Sequence, residues 1–222
     1  ACVELRLSKL GFEPKCVYEV IVTTLNEDKT LNAAPMGVLL GGDDILIMQP
    51  YIATRTYHNI SRTREAVVNI TDDITLFFTT IFEKEKVREL PVLKAKHVSV
   101  PILADSKAYV ECMVEGEPVV YDERAKVTLR ALECGLLSQN SRPICRAFNV
   151  ILESIIHFTR VKYLVEKGDI NGVMKLLELI TFYKDLVKRV CGGTRYEEMM
   201  NRIYEEAYMS AKGIKGTLSM FP

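Results

Sequence analysis

Gln49-Pro-Tyr-Ile-Ala-Thr-Arg-Thr-Tyr-His-Asn-Ile60 lies between two apolar, β-branched runs, and how it is read decides what the chain folds into. Thr54 and Thr56 bracket Arg55 just before residues that suit a helix of one or two turns. Free amide groups at a helix start attract an anion, hydroxyls donate further hydrogen bonds, and a guanidinium pairs with phosphate oxygens through two charged hydrogen bonds. The stretch therefore reads as a phosphate site between strands. Taken alone, it favours a plainer alternative in which Thr56 caps a surface helix and Arg55 is solvated.

Working outward changes that balance. Upstream, Val17-Tyr-Glu-Val-Ile-Val-Thr-Thr-Leu25 reads as a strand and Asn26-Glu-Asp-Lys29 as a turn. A second strand over residues 30–38 contains Pro35, which cannot donate to a ladder and so marks an edge, a bulge or backbone facing a ligand. Gly41-Gly-Asp-Asp44 makes the next turn, and Ile45-Leu-Ile-Met48 is a short apolar strand. Downstream, residues 65–70, 76–82, 108–114 and 126–137 read as further strands. Many short strands with turn punctuation predict an antiparallel barrel or sandwich.

The remainder has helical periodicity. A helix over residues 146–165 ends at Gly168, Asp169 caps a second to about residue 190, and Thr194-Arg-Tyr-Glu197 fits a capping box opening a third to about residue 212. Short connections predict a small antiparallel three-helix unit, with the border near Ser138-Gln-Asn-Ser-Arg-Pro143. Along its first helix Arg146, Asn149, Glu153, His157 and Arg160 recur at spacings of three or four, forming one polar stripe. The stripe is either a satisfied polar network or a solvated face; His157, with Glu153 one turn before it, reads either as a proton relay or as a structural histidine paired to a carboxylate.

Bulk composition removes several function classes. Lys plus Arg equals Asp plus Glu at 29 each, so the global positive field that drives non-specific nucleic-acid binding is missing. No apolar run reaches the roughly 18 residues that cross a bilayer, and the first residues lack signal-peptide order, which places the chain in the cytoplasm without a membrane partner. Cys2, Cys16, Cys112, Cys134, Cys145 and Cys191 contain no C-x-x-C pair and read as buried or idle thiols, with no metal site.

Asn32-Ala-Ala-Pro35, Thr56-Tyr-His-Asn-Ile60 and Val68-Asn-Ile70 together resemble the FMN-binding split-barrel superfamily, in which an N-x-A-P strand, a T-x-x-N-I helix and a V-N-I strand follow in that order. Arg142-Pro-x-x-Arg-Ala-x-Asn149, Ile151-Leu-Glu-Ser154 and His157-x-Thr-Arg160 extend the resemblance to the domain-of-unknown-function family 447, flavin-binding split barrels with a C-terminal helical domain. Ile144-Cys145 and Phe148 depart from that pattern.

The resemblance implies an α+β chain: an antiparallel split β-barrel of Greek-key type over residues 1–140, then a small three-helix domain over residues 141–222. It also implies FMN at a homodimer interface, with the phosphate on Thr54, Arg55 and Thr56 and Asn59 in the same helix. The isoalloxazine then lies near Ala34, Pro35, Met36 and Gly37 on one strand and Asn69, Ile70 and Thr71 on another. Because a flavin itself carries out hydride and electron transfer, no acid–base dyad is required. The function read here is an FMN-dependent oxidoreductase of flavin-reductase type. Lacking a G-x-G-x-x-G fingerprint, it would take NAD(P)H only transiently. The alternative is a non-catalytic flavin or small-ligand binding protein whose helical domain docks a partner.

Overall fold

The structure is a computed structural model that describes residues 6–212, so Cys2 lies outside the described residues. The chain divides between Ile144 and Cys145 into two compact units.

The first unit is a closed, all-antiparallel barrel of six strands. Strand β1 (Val17–Leu25) pairs with β2 (Leu31–Gly42), and β2 with β3 (Ile45–Met48). After helix α1 (Arg55–Thr63), β4 (Glu65–Ile70) returns to the other side of β1. Helix α2 (Ile74–Phe82) and the short pair β5 (Val92–Leu93) and β6 (Ile102–Leu103) precede a long hairpin of β7 (Ala108–Tyr121) and β8 (Arg124–Leu136). The hairpin closes the barrel in the order β1-β2-β3-β8-β7-β4. Alternation explains the register. In β1, Tyr18, Val20 and Val22 are almost completely buried, and across the ladder they face Val38, Met36 and Ala34. Burying each such aliphatic side chain stabilises the fold by about 1.5–3 kcal/mol.

Residues 76–82, expected as a strand, are helical. Asp73 caps α2 by accepting a hydrogen bond from the Thr75 amide at 2.8 Å, and Leu76, Thr79 and Thr80 are buried at helical spacing. Leu76 packs with Ile21, Ala33, Val87 and Leu103 on the outside of β1 and β2. The aromatic and β-branched content of this run resembles that of a strand, and the cap and the 3.6-residue period override it. The β7–β8 hairpin also reaches further than the predicted strands, turning at Asp122, whose φ is 50°.

Segment 94–103 straps the outer face of the barrel. Ala95, Val98, Val100 and Ile102 pack on Val67, while barrel side chains take up the segment's amides. The Glu111 carboxylate accepts from the amides of Lys96 and His97, Glu65 from Ser99, and Asn69 from Leu103. Because the backbone of a connecting segment needs hydrogen-bond partners, these side chains fix its path.

The second unit is three helices, α3 (Arg146–Lys167), α4 (Ile170–Cys191) and α5 (Arg195–Ala211), each packed on the other two. The predicted punctuation is present. Gly168 terminates α3 at φ 70°, Asp169 caps α4 through the Gly172 amide, and Thr194 caps α5 through the Tyr196 amide. Glu197 completes the box one residue further back than expected, accepting from the Gly193 amide at 2.6 Å. Arg146, Asn149, Glu153 and Arg160 are exposed, which makes most of the polar stripe a solvated face. His157 is buried against the Tyr183 ring, and its Nδ1 has no hydrogen-bond partner among the described residues.

Candidate functional site

The site is built around the start of α1. Thr54, and not Thr56, is the capping residue: its Oγ1 accepts from the Tyr57 amide at 3.3 Å and donates to the Tyr51 carbonyl at 2.7 Å. Thr56 is buried and accepts from Asn32 Nδ2 at 3.2 Å, so the N-x-A-P strand and the T-x-x-N-I helix touch directly. Asn32 also donates to Thr24 Oγ1, and Asn59 donates to Thr24 Oγ1 and Asn26 Oδ1, each at about 3 Å. This buried polar cluster fixes α1 to β1 and β2. In the sequence Asn32 is only the first residue of the N-x-A-P motif, and its hold on Thr56 exists only in the folded chain.

What remains unengaged points to an anion. Arg55 is exposed and has no hydrogen bond or ion pair among the described residues, and the amides of Arg55 and Thr56 have no acceptor there. No acidic residue occupies the first turn of α1. A helix start with an unpaired guanidinium and no carboxylate favours negative charge.

The approach to α1 is held from the β7–β8 turn. Arg124, at the β7–β8 turn, lies 4.0 Å over the Tyr51 ring, donates to the Tyr51 hydroxyl at 2.7 Å and to the Gln49 carbonyl at 3.2 Å. Backbone bonds from Ile52 to Glu123 and from Ala125 to Pro50 complete this clamp. Arg124 was not among the expected site residues. Its partner is 73 residues away, and no local signal announces the pairing.

The two other predicted stretches lie on strands that flank β1. Ile21 pairs with Pro35 on one side and with Asn69 on the other, which sets these stretches about 10 Å apart, two inter-strand spacings. Ala34, Pro35, Met36 and Gly37 are half-buried, and β2 is paired there only with β1, because β3 begins its pairing at Val38. Pro35 therefore sits where β2 has one open edge. Gly37 has a packing reason as well, since a Cβ there would meet Val17 Cγ1 at 3.0 Å.

Asn69, Ile70 and Thr71 are all buried. Asn69 donates to the Ile21 and Val67 carbonyls and to Thr23 Oγ1, and accepts from Leu103, so its amide is fully engaged within the protein. Ile70 pairs with Ala108, and Thr71 Oγ1 accepts from the Asp73 amide at 3.1 Å. Asp72 is paired with Lys107 at 2.6 Å.

Barrel order, α1 and the long β7–β8 hairpin together define a split barrel of the flavin-reductase-like class. Within that class, the sequence model described as "Protein of unknown function (DUF447) N-terminal domain" matches residues 18–140, and the chain belongs to this family. A solved FMN-bound DUF447 protein from Methanosarcina mazei is 24% identical, with a TM-score of 0.50 over 90% of this chain and 99% of that one. Nitrilotriacetate monooxygenase component B from Bacillus cereus (18% identity) and the flavin reductase HpaC complexed with NADP+ (22%) have the same TM-score. They match 59% and 58% of this chain, and 80% and 84% of their own.

Proposed function

We propose that the barrel unit, read as residues 1–140, binds FMN and that the chain is a flavin-dependent oxidoreductase of the flavin-reductase kind. The carrying observation is the start of α1, where, among the described residues, a guanidinium and two amides are unengaged and no carboxylate competes. These groups fit a phosphate. Arg55 would grip two of its oxygens, the amides of Arg55 and Thr56 would point at a third, and Thr56 has a hydroxyl hydrogen to donate. Thr54 contributes by holding the helix start, and Asn59 by holding α1 to the barrel.

Ala34, Pro35, Met36 and Gly37, on the open edge of β2, would line one side of the ring system, and Ile70 and Thr71 the other. Asn69 acts through position, keeping β4 and segment 94–103 in place. Bound FMN supplies hydride and electron transfer; the residues of this chain hold it and exclude water. The reading draws support from the FMN-bound family member and from the flavin reductase solved with NADP+. By the same analogy, NAD(P)H would visit transiently. The exposed stripe of Ile74, Phe78, Ile81 and Phe82 on α2 supports a homodimer, because an apolar helix face is stable when covered.

A second reading is a non-catalytic flavin-binding protein whose helical domain, residues 141–222, docks a partner. The exposed Leu152, Ile155 and Phe182 favour it. Anaerobic addition of NADH or NADPH to the FMN-loaded protein separates the two. The oxidoreductase reading expects the visible flavin absorbance to bleach, and colour that persists with both donors leaves the binding-protein reading.

A further inference from the structure

Nothing in the spacing of Cys145 and Cys191, which are 46 residues apart, relates them, yet the helical unit brings them together. Cys145 immediately precedes α3 and Cys191 is the last residue of α4. The two helices are joined at Gly168 and Asp169, so the start of one meets the end of the other. Their Sγ atoms are 3.4 Å apart, and both side chains are buried.

We infer that Cys145 and Cys191 are a reversible redox pair, oxidised by a hydroperoxide to a disulfide within the helical unit. Bonded sulfurs lie at about 2.04 Å, so the approach that remains is on the scale of a side-chain rotation. Local backbone permits it. Cys145 is in extended conformation (φ −110°, ψ 120°), and Cys191 is followed by Gly192 and Gly193.

The reaction balances in two steps. One thiolate attacks a peroxide oxygen, the O–O bond breaks, and the departing oxygen takes up a proton, leaving a sulfenic acid. The second sulfur attacks that sulfenic sulfur, the S–S bond forms, the S–O bond breaks, and water leaves with the second proton. Two thiols lose two electrons, and the hydroperoxide gains them.

The full chain, reduced, treated with hydrogen peroxide, unfolded and alkylated, gives the test. The expected product is lighter by two hydrogens and takes four labels where the reduced chain takes six, six less the two joined. Its digest contains one linked pair of peptides carrying Cys145 and Cys191, and dithiothreitol restores six labels. Cys145→Ser and Cys191→Ser should each abolish the linked species, while the native chain alone already decides the matter. Six labels after oxidation, a sulfinic acid without a link, or a link joining other cysteines overturns the inference.

Discussion

Glu133 shows how single side chains tune this barrel. Its carboxylate accepts from His97 Nε2 at 2.8 Å and from Lys96 Nζ at 3.2 Å, tying the strap to β8. The His97 bond first, then the Lys96 bond, hold its carboxyl below the usual carboxylate range. A lowered pKa in the folded state means the stabilisation is complete above the ordinary carboxylate pKa and is lost as pH falls through the lowered value. Glu133→Gln should therefore cost about 0.5–1 kcal/mol at neutral pH, the range of a surface pair, with the deficit vanishing in acid. Urea midpoints across a pH series check this, and a pH-independent deficit contradicts it. Asn69 works at the same scale with more at stake, since a buried acceptor left unpaired costs about 1–3 kcal/mol.

At the scale of elements, local signals were legible wherever capping chemistry was read. Gly168, Asp169 and Thr194 delimit α3, α4 and α5 close to where the sequence places them. Helix α2 is the exception although Asp73 stands before it, because the aromatic and β-branched run over residues 76–82 reads as a strand. Removing that cap is a direct check. Asp73→Ala should lower stability by about 1 kcal/mol and shorten α2, seen as faster amide exchange over residues 74–77. Unchanged exchange there would mean that packing of Leu76 alone starts the helix.

For the whole molecule, the strands could be read but not their partners. β-Branched content places β1 and alternation places β7, whereas closure depends on pairings such as Met48 with Val127 and Asn69 with Tyr109, which join residues distant in sequence. The resemblance supplied the barrel where periodicity left a barrel or a sandwich open. The same limit applies to the candidate site. Arg55 and its neighbouring threonines were legible as a local pattern, while the bond from Asn32 to Thr56 and the grip of Arg124 on Tyr51 exist only once the chain is folded. The central claim is that the start of α1 holds a flavin phosphate, and a fluorescence titration with FMN of the native chain beside Arg55→Ala tests it most directly. The account predicts saturable binding by the native chain and a loss of about 1.5–3 kcal/mol, roughly ten- to a hundredfold in Kd, on replacing Arg55. A native chain that does not saturate, or a variant that binds equally well, contradicts it.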